Sequence, residues 1–291
     1  MTTRRTFLKQ ASLMSAGLLT GLPGFSSSKT KNIGLQLYTV RSEVNQAKLP
    51  GTLETIAKAG YSHVELFGYN NRQFFGHSVK DVAAMLKRNN LQSHSGHYSL
   101  NDLQYAKTYD FSSWNHLIDD AAVLGNKYLV IPYMDGSHRK TDDYKLLAER
   151  LNKAGELSKK AGMRAGYHNH DFEFIQQDGT SGWEILLKET DPELVAIEMD
   201  IYWVYHAGQD AVSWFKKHPG RFPLWHVKDL TSTPKKMSTI VGTGEIDFKK
   251  IYAERKTAGL EHFIIEQEEY SKPVFDCIRE SFDYSAKHIV Q

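Results

Sequence analysis

The sequence predicts a single-domain α/β chain folded as a (β/α)8 TIM barrel, and three observations carry that prediction. From Asn32 onward, eight short apolar runs alternate with eight amphipathic helical stretches, an order that builds a parallel sheet. Glycine stands just after several helical stretches, at Gly60, Gly125, Gly162 and Gly259, where a left-handed residue ends a helix. The first apolar run is followed by Thr39-Val40-Arg41-Ser42-Glu43, without glycine. A doubly wound open sheet would place a glycine-rich phosphate loop there.

The elements follow in order. Ile33 to Tyr38 is the first strand, and Gly51 to Ala59 the first helix, with Leu53, Ile56 and Ala57 on one side. His63 to Phe67 is the second strand. Val79 to Lys87 sets Val82, Met85 and Leu86 on one helical stripe. Leu91 to His97 is the third strand, Asp110 to Leu124 a helix, and Tyr128 to Pro132 the fourth strand. Asp142 to Ala161 is the longest helix, and Met163 to His168 the fifth strand. A short helix, Trp183 to Lys188, leads to strand six, Val195 to Asp200. Helix Asp210 to Lys217 precedes strand seven, Phe222 to Val227. Helix Phe248 to Ala258, strand eight at Phe263 to Glu266, and helix Pro273 to His288 complete the set.

Charge and cysteine content exclude several functions. Lys+Arg number 36 against 34 Asp+Glu, a formal +2, which gives no footprint for nucleic acid. One cysteine, Cys277, excludes an intrachain disulfide and a cysteine-based zinc site. The start of the chain reads as an address. Arg4-Arg5, then Phe7-Leu8-Lys9 and the apolar stretch Ala11 to Leu22, form a secretory pattern. That stretch is too short to span a bilayer, so no stable membrane anchor is expected. The pattern resembles a bacterial twin-arginine signal. Residues 1–28 are therefore expected to be a signal peptide, 29–291 the barrel, and the product periplasmic or otherwise exported. Arg4, Arg5 and Lys9 are the only charges in that leader, so the remainder carries a formal −1.

The 13 histidines are the unusual feature. In a TIM barrel, chemistry sits at the C-terminal ends of the strands, and useful side chains collect there. Strand two brings Glu65, strand three His94 and His97, and strand five His168, His170 and Glu173. Strand six brings Glu198 and Asp200, followed by Trp203 and His206; strand seven brings His226 and Lys228; strand eight brings Glu266. Six histidines thus fall on one rim. His168, Asp200, His226 and Glu266 come from strands five to eight, adjacent in a barrel. Two imidazoles and two carboxylates suit Mn²⁺, Zn²⁺, Fe²⁺ or Co²⁺ better than Ca²⁺. His94, His97, Trp203, His206 and Glu65 are candidates for substrate binding. Tyr38, Tyr98, Trp203, Tyr205 and Trp225 either stack on a substrate ring or pack. Lys228 either donates to a substrate oxygen or pairs with Asp229.

Specific motifs sharpen this reading. They are Tyr167-His-Asn-His170 with Phe172-Glu-Phe174, Met199-Asp200, His226-Val-Lys-Asp229, Gly242-Thr-Gly-Glu-Ile-Asp247 and Ile265-Glu266. On these the chain resembles the xylose isomerase-like TIM-barrel superfamily of sugar isomerases and epimerases, which shares its fold with endonuclease IV. The resemblance implies a divalent metal held after strands five to eight, with Asp200, His226 and Glu266 matching the family positions. At the strand-five position many members carry Glu, and this chain has His168. Either His168 replaces it as ligand, or Glu173 reaches in from the loop. The resemblance also implies a homodimer.

The implied activity is a metal-dependent sugar isomerase or epimerase. It works by proton abstraction next to a carbonyl through a metal-stabilised enediolate. Glu266 is the expected base, with His170 and Glu173 able to shuttle the proton and Lys228 to donate to a sugar oxygen. The small-molecule partner is a sugar or an oxidised glycoside. The same machinery supports a lyase or hydratase acting on 3-keto-glycosides, and the non-enzyme alternative is a sugar-binding protein with a decayed site. An endonuclease would want a basic groove, and the strand-end loops hold no Lys/Arg cluster. No phosphate-cradling glycine loop follows the strands either.

Overall fold

The computed structural model describes residues 31–98, 108 and 110–291; the expected signal segment 1–28 lies outside them. Eight parallel strands form the barrel wall: β1 (Ile33–Gln36), β2 (His63–Glu65), β3 (Ser95–His97), β4 (Tyr128–Ile131), β5 (Arg164–His168), β6 (Val195–Asp200), β7 (Leu224–Val227) and β8 (His262–Ile265). Their order around the sheet is β2-β1-β8-β7-β6-β5-β4-β3. The helices around them are α1 (Leu49–Lys58), α2 (Val79–Arg88), α3 (Ser112–Leu124), α4 (Thr141–Lys159), α5 (Gly182–Glu189), α6 (Ile201–His206), α7 (Ala211–Lys217), α8 (Phe248–Ala253), α9 (Arg255–Ala258) and α10 (Val274–His288). The predicted (β/α)8 TIM barrel is the observed fold.

Local chemistry sets the boundaries. Ser78 and Ser181 cap α2 and α5 by accepting the amides of Asp81 and Glu184, which satisfies donors that a helix start leaves unpaired. Gly125 and Gly259, at φ 82° and 79°, end α3 and α9 in the left-handed region. The stretch expected as one helix from Phe248 to Ala258 breaks at Glu254 into α8 and α9. The sequence reading missed α6, which starts directly from the end of β6. It also missed a small three-stranded sheet of Tyr69–Asn70, Gln73–Phe74 and His77–Ser78.

Strand alternation decides which side chains enter the barrel. Register pairs Val130 with Gly166, Gly166 with Ala196, Glu198 with Leu224, Leu224 with His262, and Ile264 with Gly34. Tyr128, Val130, Ala196, Leu224 and Ile264 form an apolar cluster of their own. It is separate from the larger core between wall and helices. The interior is thus a thin apolar plug with polar side chains at both ends. One step further along the same inward faces lie Gln36, Glu65, His97, His168, Glu198, His226 and Glu266, with Asp200 one step beyond Glu198.

The wall is weakest between β2 and β3, where only the bridges His63–Gln92 and Leu66–Gly96 close it. Between the two bridges, two residues on one side oppose three on the other, the mark of a β-bulge. The amides of Lys127 and Tyr128 both donate to the His94 carbonyl, at 2.7 and 3.1 Å. This bulge shortens the third strand from the expected Leu91–His97 to Ser95–His97.

Candidate active site at the C-terminal mouth

The structure brings His168, Asp200, His226 and Glu266 together: one ligand atom from each lies within 4.8 Å of the others, and all four residues are buried. Asp200 owes its orientation to the helix that the sequence reading missed. It caps α6, its Oδ1 accepting from the amides of Tyr202 at 2.9 Å and Trp203 at 3.3 Å. Its Oδ2 is buried and has no hydrogen-bond partner. It is ion-paired with the Lys228 ammonium at 3.4 Å yet accepts no hydrogen bond, which is costly for a buried carboxylate oxygen, and a bound cation relieves the cost. Imidazole nitrogen with carboxylate oxygen is the donor set of Mn, Fe, Co and Zn. The residues present therefore fit a divalent metal.

A second group lies beneath the first. His97, His168, Glu198 and His226 also converge within 4.8 Å. Glu198 Oε2 accepts from His97 Nε2 at 2.6 Å and from His168 Nδ1 at 3.0 Å. Glu65 Oε2 accepts from His226 Nε2 at 2.6 Å and from Gln36 Nε2 at 2.7 Å. His226 thus has one nitrogen on Glu65 and the other 3.2 Å from Glu266. Carboxylates behind metal-ligating histidines fix the tautomer and the ring plane, and Glu65 and Glu198 are placed to do so. From the sequence Glu198 is a strand-end residue with no assigned role. Its inward register, two residues before Asp200, is the signal that would have found it.

The electrostatics follow from burial and pairing. Burial lowers the pKa of His226, but Glu198, Glu266 and Glu65 outweigh it and hold the imidazole well above its usual range. His97 is raised in the same way by Glu65 and Glu198. His168 is driven well below its usual range by burial and by its histidine neighbours. Burial and the Glu65 charge push Glu198 up to about 7. Burial also raises Asp200, to about 6, against the pull of Lys228.

Lys228 is buried in the mouth. Its Nζ is 3.4 Å from Asp200, 3.3 Å from Glu266 and bonded to Glu268. It also lies 4.8 Å from the Tyr202 ring centre and 5.0 Å from that of Trp203. Burial opposes its charge, and the three carboxylates outweigh burial and hold it protonated. The alternative pairing with Asp229 is not made. Asp229 instead accepts from the amides of Leu230, Gly242, Gly244 and Ile246. A Cβ on Gly244 would lie 2.3 Å from Asp229 Oδ1, so this carboxylate anchors the Gly242–Asp247 loop.

Several expected residues sit elsewhere. Glu173 does not reach in as a ligand. Its carboxylate accepts from Tyr167 Oη at 2.7 Å and the His170 amide at 2.8 Å. Tyr167 alternates with inward His168 and so faces the helices, placing Glu173 outside the lumen. His94 is not on this rim, because the bulge ahead of β3 leaves it at the opposite mouth, stacked on His262 at 4.3 Å. His170 stays at the rim, 5.2 Å from Trp203 and stacked on Phe172. His206 pairs with Asp171 at 3.0 Å, further from the centre. Of the aromatics, Tyr98 and Trp225 are buried packing groups. Tyr98 bonds Asn126, and Trp225 stacks on Phe215 at 4.8 Å.

A family model described as xylose isomerase-like TIM barrel matches residues 53–288. The chain belongs to the xylose isomerase-like TIM-barrel family. This family member is 32% identical over 138 residues to an inosose dehydratase of Clostridium perfringens, a match over 42% of this chain and 46% of that protein. It thus spans about half the length of that curated relative. A solved sugar phosphate isomerase/epimerase from Parabacteroides distasonis is 31% identical, with 91% of this chain and 97% of that chain covered and a TM-score of 0.79. A solved IolI protein with a bound zinc shares the fold at 16% identity, with 88% and 95% covered and a TM-score of 0.63. No helix among the described residues is long and apolar enough to cross a membrane.

Proposed function

We propose that this family member is a divalent-metal enzyme that removes a proton from the carbon next to a carbonyl of a sugar-like polyol, then returns it as an isomerase or epimerase. The observation that carries the reading is the buried quartet His168, Asp200, His226 and Glu266, with the Lys228 ammonium beside two of its carboxylates. A metal held by the quartet would supply Lewis acidity toward the substrate oxygens. The chain's own residues do the rest. Glu266, held ionised by Lys228 and His226 against the cost of burial, takes the proton from carbon. Lys228 donates a hydrogen bond to the oxygen on which charge builds. His170, kept neutral by burial, has an unpartnered Nδ1 that can relay the proton to the rim. Glu65 and Glu198 hold the ligand imidazoles in place.

The second reading is elimination, favoured by the inosose dehydratase relatives. Abstraction is the same, but a hydroxyl or aglycone one carbon further leaves with a proton from Lys228, in place of reprotonation at carbon. Ketohexoses and 3-keto-glucosides incubated with the Mn²⁺-loaded protein decide between them. An epimer or isomer supports the first reading, and an unsaturated product or freed aglycone the second. No turnover with either class, with metal bound, removes both.

A further inference from the structure

Asn169 follows the candidate ligand His168 in the chain and is buried, yet the proposed chemistry gives it no task. Its carboxamide is fully engaged. Oδ1 accepts from the Asp200 amide at 3.0 Å, and Nδ2 donates to the carbonyls of His170 at 3.2 Å and Asp200 at 3.4 Å. Asp200 is extended, at φ −82° and ψ 107°. In an extended strand the N–H and C=O of one residue point to the same side, where a neighbouring strand meets them. One side chain just past β5 thus grips both backbone groups of a ligand that ends β6. The reverse orientation of the amide would set its NH₂ against the Asp200 N–H, so the bonds also fix which way the side chain faces.

The sheet does not do this work itself. The β5–β6 register ends at the pair His168 and Glu198, two residues short of Asp200. On the other side the ladder continues, and Asp200 registers with His226 on β7. Two spacings within the quartet are therefore set in different ways. Backbone pairing fixes Asp200 against His226, and the Asn169 carboxamide fixes Asp200 against His168. His168 Nε2 and Asp200 Oδ2 stand 3.9 Å apart, within the about 4 Å that two metal–ligand bonds of about 2 Å can bridge. A separate tie holds the far end of α6, where His206 pairs with Asp171 at 3.0 Å, both partly exposed.

We propose that Asn169 is the positioning residue that holds Asp200 at metal-sharing distance from His168, and so sets the affinity of the quartet for its ion. This rests on the reading of the quartet as a metal site. Groups behind the ligands commonly govern affinity in this way, because they fix where the ligand atoms stand before the ion arrives. Removing the carboxamide leaves the buried Asp200 amide without its acceptor and lets the end of β6 part from β5. The α6 cap still orients the Asp200 side chain relative to its own helix, but no longer relative to His168.

The test uses metal-free full-length protein, titrated with Mn²⁺ by calorimetry and with Co²⁺ by visible absorption, whose bands report the number and geometry of ligands. Asn169→Ala, or the milder Asn169→Ser should alanine not fold, is expected to weaken Mn²⁺ binding about 10–100-fold and to change the Co²⁺ spectrum. Hydrogen exchange at the Asp200 amide should quicken in the metal-free variant. Asp171→Ala, which frees only the far end of α6, is expected to keep the wild-type affinity and spectrum. Unchanged affinity and spectrum in the Asn169 variant, or an equal loss in Asp171→Ala, overturns the inference and leaves Asn169 as a structural bond of the rim. Wild type that binds neither ion removes the metal reading of the quartet and this inference with it, a result distinct from an Asn169 variant that binds as wild type does.

Discussion

At the C-terminal mouth of the barrel the histidines face carboxylates; at the N-terminal mouth they face one another. His97 and His226 are held above their usual range by Glu65, Glu198 and Glu266, whereas His63 and His262 are held far below it. Burial works in the same direction at both ends. The carboxylates make the difference: they turn buried imidazoles at one mouth into part of a charged network, and their scarcity at the other leaves neutral rings. The same residue type in the same barrel therefore takes opposite protonation tendencies, set by what the neighbouring strands point inward.

The sharpest way to break this contrast is to remove a carboxylate from the active mouth. Asp200→Asn is expected to lower kcat/KM on the order of 10³-fold, several kcal/mol of lost metal and its Lewis acidity, with bound Mn²⁺ falling in parallel by elemental analysis. Lys228→Met comes next. It leaves Asp200 and Glu266 without their ammonium, a buried pair broken on one side, at a cost of about 3–5 kcal/mol. Urea unfolding of metal-free protein should show that loss. Added Mn²⁺ should recover much of it, because metal and ammonium serve the same oxygens.

Glu173 tests the wall behind the mouth. Burial raises its carboxyl to about 7, so the fold favours the protonated form. Its contribution is full below the unfolded value near 4.5 and is lost as pH rises through about 7. Glu173→Gln removes that slope. Wild type should lose up to about 3 kcal/mol relative to the variant between pH 4.5 and 7, read from urea midpoints across that range. The smallest effect belongs to the opposite mouth. Gly34→Ala pushes a methyl into His63 and is expected to cost about 1–3 kcal/mol of stability. It should leave kcat unchanged, which separates the two ends directly.

Much of the barrel was legible because each strand is a short apolar run fenced by helices and glycine stops. Asp200, His226 and Glu266 were legible because they end such runs. His94 was misplaced for a physical reason: the bulge adds a residue to β3, and a strand-end rule that counts residues cannot see it. Glu198 stands at the same strand end as Asp200, but its role comes from facing His97 and His168 one step deeper in the lumen, a pairing across strands that spacing along one strand does not show. The alternative in which Glu173 reaches in from the loop fails because its contact with outward-facing Tyr167 holds it behind the wall. Helix α6, whose capping aims Asp200, is only six residues long and too short to leave a helical stripe in the sequence.

The central claim is that the buried quartet at the C-terminal mouth supports proton removal next to a carbonyl. Solvent exchange tests it most directly: Mn²⁺-loaded protein is incubated with a ketohexose or 3-keto-glucoside in deuterated water, and substrate and product are analysed for label. The account predicts deuterium at the carbon next to the carbonyl with wild type, and its loss with Glu266→Gln. Turnover without label, or equal labelling by the Glu266→Gln protein, would contradict it.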